Sequence, residues 1–198
     1  MMMFLNSIKI DNYAFPDSTF ALKNIDISFE RSFTPLIFPL GGAQGCGKST
    51  LLRLVYDKLT TDSFADGLKI RIDDVTEGGV HLIAQDLGEG MFPLYGDSEN
   101  SDTFACLLWR GESLQGSLAQ QKTEALLRYI ADIKDSIILL DNPDLGLHPD
   151  QQYNLCRDIA NLKTSNQFIV ATHSYEFCQA LAPSHVKILE NSLENSNV

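Results

Sequence analysis

Gly42-Ala43-Gln44-Gly45-Cys46-Gly47-Lys48-Ser49 is the stretch from which the rest of the chain is read. Its glycines let successive backbone N–H groups turn inward as a nest for phosphate oxygens, and a helix starting at its end adds a partial positive charge. Lys48 would bridge the β- and γ-phosphates of a nucleotide, and the Ser49 hydroxyl would enter the shell of a magnesium ion. The flanking sequence has the order this needs. Leu36-Ile37-Phe38-Pro39-Leu40 is an apolar run ending in Gly41-Gly42, as a buried strand feeding the loop should be. Pro39 is awkward there because it removes a ladder donor, so the strand should bend or its pairing stop before the loop. From Ser49 to Leu59, residues Leu51, Leu52, Val55 and Leu59 recur at helical spacing. The expectation is an ATP and Mg2+ site whose nucleotide is held by Gly42, Ala43, Gln44, Gly45, Cys46, Gly47, Lys48, Ser49 and Thr50.

Before the loop, Ser7–Asp11 and Asn24–Phe29 alternate apolar and polar residues like half-buried antiparallel strands. After it, Lys69–Ile72 and Val80–Ala84 read as further strands, and the Gly-, Asp- and Ser-rich segment Asp86–Asp102 as a loop. A helix is expected from Leu114 to Lys134, with Leu126, Leu127, Ile130 and Ile133 as its apolar stripe. Ser136-Ile137-Ile138-Leu139-Leu140-Asp141 is a buried strand tipped by a carboxylate, followed by a polar turn and a helix from Pro149 to Leu162. Phe168–Thr172 is another buried strand, ending at His173. Strands alternating with helices of this length predict a largely parallel α/β sheet with functional groups gathered at the strand C-termini. Asp141 is the acidic strand end that a magnesium site of this kind requires as a second anchor.

Composition bounds the function. A chain of 198 residues, 44% of them apolar, holds one domain, placed at 1–190, with 191–198 as a polar, frayed tail. The net charge of −11 disfavours direct nucleic-acid binding by this chain alone and binding to acidic membranes. Cys46, Cys106, Cys156 and Cys178 show neither a CxxC pair nor zinc spacing, and are expected as reduced, mostly buried thiols. The N-terminus lacks the pattern of a signal peptide and no apolar run is long enough to span a bilayer, which predicts a cytoplasmic protein.

Residues 136–149, Ser-Ile-Ile-Leu-Leu-Asp-Asn-Pro-Asp-Leu-Gly-Leu-His-Pro, resemble the extended Walker B and D-loop of ABC-type ATPases, and Phe168–Ser174 resembles their switch-histidine segment. The chain is similar to the compact soluble branch that includes the Rad50, SMC, RecF and AAA_21-type predicted ATPases. The loop and Asp141 lie about ninety residues apart, so no long coiled-coil arm separates them. The resemblance implies a P-loop NTPase fold, ATP-driven association as a homodimer or as a heterodimer with a related ATPase or effector protein, and a catalytic set of Lys48, Asp141, Asn142, His173 and Gln85. Ser49, Asp141 and Gln85 would serve the metal, and His173 the γ-phosphate. His148 matches a position with either a structural or a subunit-contact role.

Two positions depart from the family pattern. Asn142 stands where relatives carry the glutamate that activates water, and an amide accepts no proton at neutral pH, so hydrolysis should be slow. Asp144 is the nearest spare carboxylate. Trp109 stands where the signature serine is expected, in Trp109-Arg110-Gly111-Glu112-Ser113, and a competing alignment at Gln115-Gly116-Ser117 also lacks that serine. A hydrolysis-deficient ATP-sensing module is therefore the alternative reading. Tyr13 and Phe15 are the aromatic candidates for stacking adenine, with packing as the other role.

Overall fold

The computed structural model describes residues 3–14, 21–61, 68–73, 78–84, 101–103 and 116–189. Its elements run β1 (Phe4–Ala14), β2 (Ala21–Ser28), β3 (Ile37–Gly41), α1 (Lys48–Thr60), β4 (Leu68–Asp73), β5 (Val80–Ala84), β6 (Ser101–Thr103), α2 (Leu118–Ala131), β7 (Ile137–Asp141), α3 (Pro149–Asn161), β8 (Gln167–Ala171), α4 (Tyr175–Gln179), a 3-10 turn (Pro183–His185) and β9 (Lys187–Ile188).

Two sheets result. β2-β1-β4 form an antiparallel sheet, and β6-β5-β7-β8-β3-β9 form a six-stranded parallel one. In the first, Ile8 and Ile10 oppose Ile27 and Ile25, all buried, while Lys9 opposes Asp26 on the solvent face. The alternation read from the sequence follows from this one-sided burial.

The parallel sheet is covered on both faces at β3, β7 and β8, so these strands are buried along their whole length and mostly apolar. Phe38, Leu40, Leu139 and Ile169 face a core shared with α1 and the antiparallel sheet. Their neighbours Ile37, Ile138, Leu140, Phe168 and Val170 face a second core with α2, α3 and α4. Each fully buried Leu or Ile contributes about 1.5–3 kcal/mol relative to exposure. A polar residue at any of Ile137, Ile138, Leu139 or Leu140 would therefore disrupt one core or the other. Gln167, fully buried, ties the two sheets: its Nε2 donates to Leu5 O at 3.0 Å and its Oε1 accepts from Leu5 N at 2.7 Å.

Pro39 does not stop the strand's pairing: it stands opposite Val170 in the ladder with β8. Leu36 O and Leu40 O accept from Phe168 N and Thr172 N of the β8 segment, whereas Gly41 O accepts from Leu189 N and Ile37 O meets His185 Nδ1 on the opposite side. By alternation the nitrogen of Pro39 faces the β9 side, where pairing is confined to Leu40 and Gly41. No ladder bond is lost.

Several sequence boundaries need correction, among them the first two strands, which run Phe4–Ala14 and Ala21–Ser28 rather than Ser7–Asp11 and Asn24–Phe29. The helix expected at Leu114–Lys134 spans Leu118–Ala131 as described, because Ser117 forms a capping box with Gln120 and the chain leaves the helix at Asp132. Ser101 and Asp102, read as loop, pair in parallel with Leu82 and Ile83 as part of β6. Cys46 and Cys156 are buried and Cys178 is half-buried, all three outside disulfides. Burial pushes the Cys156 thiol up to about 12 and that of Cys178 to about 11, so both stay protonated. Among the described residues no helix is long and apolar enough to cross a membrane.

Candidate functional site

The parallel sheet brings the ends of β3, β7 and β8 to one edge, with the 42–49 loop above them. Gly42 (φ 141°) has no room for a side chain: a Cβ there would stand 2.6 Å from Leu189 O and 2.9 Å from Cys46 Sγ. Gly47, at φ 96°, caps α1, and the first turn of that helix carries no acidic side chain. The positive end of the helix dipole is thus uncompensated by its own residues and suited to an anion.

Lys48 is 4% exposed, yet its ammonium is well partnered. It donates to Gly42 O at 3.0 Å, Ala43 O at 3.1 Å and Cys46 Sγ at 3.6 Å. It also lies 3.3 Å from His173 Nδ1. An ammonium can only donate, so where the two share a hydrogen bond Nδ1 is the acceptor, which fits the neutral tautomer with its proton on Nε2. Partial burial and the Lys48 charge both lower the His173 pKa, against the opposing pull of Asp144 and Asp141. Nε2–H is then the donor available to a phosphate.

The Ser49 hydroxyl donates to Asp141 Oδ1 at 2.7 Å, joining the start of α1 to the end of β7. Burial raises the Asp141 pKa, while the Ser49 bond and then the charges of Arg53, His173 and Lys48 pull it down. Asn142, at φ 51°, donates from Nδ2 to the same Oδ1 at 2.9 Å. Its backbone N–H donates to Ala171 O at 2.9 Å. A hydroxyl and a single carboxylate side by side suit magnesium, which keeps most of its water and phosphate ligands and needs few from protein. They do not make a dedicated protein cage, and no cluster of three or more His, Cys, Asp or Glu suited to a metal occurs among the described residues.

Lys48, Ser49, Asp141, Asn142 and His173 are therefore brought together. Ala43, Gln44 and Gly45 form the exposed rim of the loop, and Thr50 lies in the first turn of α1. Gln85, Phe15, Trp109 and Arg110 lie outside the described residues. Tyr13 is partly buried against the first core. His148 is exposed at the start of α3, its backbone N–H donating to Gln151 Oε1 at 3.2 Å. His185 is a core residue, stacked on Phe33 and Phe38. A half-open cavity of about 750 Å³ adjoins the site, its walls including Gly42, His173, Tyr175, Leu181 and Ile188.

Sequence reasoning missed Arg53, one helical turn beyond Ser49 and close enough to favour ionised Asp141. It also missed Thr172, Ser174 and Gln152, which anchor the segment carrying His173. The one-turn spacing from Ser49 could have suggested Arg53; the other three owe their places to contacts between distant parts of the chain.

A parallel sheet with a phosphate loop between its β3 strand and α1 defines a P-loop NTPase. The crystal structure of a nucleotide-free ATP-binding cassette from an ABC transporter superposes with a TM-score of 0.55 at 15% identity, over 94% of this chain and 88% of that one. The fold is thus that of an ABC-type cassette. Residues 112–178, which include Asp141, Asn142 and His173, match the AAA_21 family model, described as AAA domain, putative AbiEii toxin, Type IV TA system. By fold the chain is an ABC-type P-loop cassette, and its 112–178 stretch is similar to the AAA_21 family. It is 35% identical over 135 residues to the sulfate/thiosulfate import ATP-binding protein CysA of Mannheimia succiniciproducens, covering 63% of this chain and 34% of that protein. It is 36% identical over 55 residues to the Retron Ec83 probable ATPase of Escherichia coli, covering 28% of this chain and 10% of that one. The chain thus spans about a third or less of the curated relatives it matches.

Proposed function

We propose that this chain binds ATP with magnesium and hydrolyses it slowly, using nucleotide-dependent association with a second copy, a related ATPase or an effector protein as its output. The observation that carries the reading is the convergence of Lys48, the Ser49–Asp141 pair at 2.7 Å and neutral His173 at the N-terminus of α1. Each group has a separate task. The loop N–H groups and Lys48 bind the β- and γ-phosphates, Ser49 and Asp141 supply oxygens to the metal, and His173 Nε2–H meets the γ-phosphate. Magnesium, when bound, neutralises charge developing on the phosphate oxygens. Two relatives, an ATP-binding import protein and a probable ATPase, agree with ATP as the ligand while belonging to different processes.

The rate is a matter for Asn142. Without a carboxylate at that position the site lacks the assistance that typically gives ~10²–10⁴ in rate. A second reading, an ATP-sensing module without turnover, is favoured by the Asn142 amide being engaged with Asp141. Titration of pure protein with ATP, with and without magnesium, tests the first claim: binding that needs magnesium and disappears in Lys48→Ala is expected. A wild-type protein that ignores millimolar ATP would sink it. Molecular mass measured with and without ATP and magnesium tests association, and a strict monomer under saturating nucleotide counts against it.

A further inference from the structure

His173 is exposed, but the backbone on either side of it is held by a buried polar chain. Asp144, 5% exposed in the turn after β7, accepts at Oδ2 from the Thr172 hydroxyl at 2.9 Å. The same hydroxyl oxygen accepts from the Ser174 backbone N–H at 2.9 Å. These two bonds bracket residue 173. Further along, Ser174 Oγ donates to Gln152 Oε1 of α3 at 2.8 Å and accepts from Phe177 N at 2.8 Å, capping α4.

The arrangement is costly for a purely structural contact. Asp144 Oδ1 is buried and has no hydrogen-bond partner among the described residues. Burial raises the pKa of this carboxyl, and the charges of His173 and Lys48 oppose that rise, which puts Asp144 within electrostatic reach of both. A half-satisfied buried carboxyl costs stability, and its presence here calls for a role beyond packing.

We propose that Asp144 is a positioning residue for His173: through Thr172 it fixes the 172–174 backbone so that the imidazole stands at Lys48 with Nε2–H available to the terminal phosphate of the nucleotide. The inference rests on His173 as the γ-phosphate contact and adds the device that holds it there. Asp144 acts through an accepted hydrogen bond and takes no proton from water.

The test is the ratio of affinities for a non-hydrolysable ATP analogue and for ADP, measured by calorimetry with magnesium. Losing a bond to a charged phosphate lowers this ratio by about ten- to a hundredfold in His173→Ala. Asp144→Ala and Thr172→Val should fall in the same direction. Thr172→Ser and Asp144→Asn, which retain the hydroxyl and an acceptor, should keep the ratio, and Asp144→Ala should add nothing in the His173→Ala background. An undiminished ratio in Asp144→Ala, or an equal further loss in the His173→Ala background, overturns the proposal. A ratio lost in Asp144→Asn overturns it too, because charge rather than the accepted bond would then be at work. Should Asp144→Ala not fold, the Thr172→Val and Thr172→Ser pair decides alone. Should the wild type bind neither nucleotide, the functional reading fails, and the positioning claim is judged on the His173 imidazole 15N shifts. Those shifts should move in Thr172→Val and not in Thr172→Ser; unmoved shifts in both overturn the claim.

Discussion

Asn142→Glu sets a gain against a loss at the same atom, Asp141 Oδ1. The asparagine donates to that oxygen at 2.9 Å, and a hydrogen bond to an ionised group contributes about 1.5–3 kcal/mol. Asn142 also sits at φ 51°, a conformation that asparagine adopts readily and that costs a glutamate about 1 kcal/mol more. Glutamate would place a second negative charge beside a carboxylate that burial already disfavours. The combined destabilisation at neutral pH is roughly 2–4 kcal/mol, which in a chain of this size lowers Tm by about 5–15 °C. Magnesium with ATP should recover most of this by satisfying both carboxylates, and acidification should recover part by protonating one of them. In the recovered state a base is present where water would attack, and turnover should rise by ~10²–10⁴. Scanning calorimetry at neutral and acidic pH, with and without magnesium and ATP, and a phosphate-release assay read the two effects separately. An unchanged Tm at neutral pH would refute the contact with Asp141. Unchanged turnover in protein shown to bind ATP would refute the missing base as the cause of slow hydrolysis and leave the sensing module as the reading.

Ser49→Ala removes the hydroxyl that faces Asp141 Oδ1, and should weaken magnesium-dependent ATP binding by about ten- to a hundredfold while leaving the magnesium-independent component nearly unchanged, as read by titration across magnesium concentrations. Gly42→Ala forces a Cβ to 2.6 Å from Leu189 O at φ 141°, so a loss of about 1–3 kcal/mol in urea denaturation is expected, together with weaker nucleotide binding. Asp141 and Asp144 both have raised folded-state pKa values, so the folded chain keeps protons that the unfolded chain releases near 3.8. Their contribution to stability is therefore fully present below that value, is lost as pH rises through the folded-state values, and changes no further above them; each group adds at most about 1.4 kcal/mol per pH unit to the slope. Asp144→Asn should flatten Tm against pH across that window in nucleotide-free protein, and an undiminished slope would refute its share.

What the sequence disclosed depended on how local the cause was. The 42–49 loop, α1, β7 and β8 were legible because glycine placement and apolar runs act over a few residues. Pro39 was not, since its tolerance depends on β9, which is nearly 150 residues away and pairs with only Leu40 and Gly41. The end of α2 was misplaced because Ile133 continues the apolar stripe after the helix has stopped, still packing against the second core from outside it. The pairing of Asp144 with Thr172 crosses 28 residues, so sequence reasoning could offer Asp144 only as a spare carboxylate. That contact redirects the chemistry. A carboxyl engaged with Thr172 and buried in the turn is poorly placed to replace the missing glutamate as a base, and Asn142 itself is engaged with Asp141. On the proposed reading of the site, both nearby side chains are then committed, and the bound state rather than turnover would be the long-lived signal.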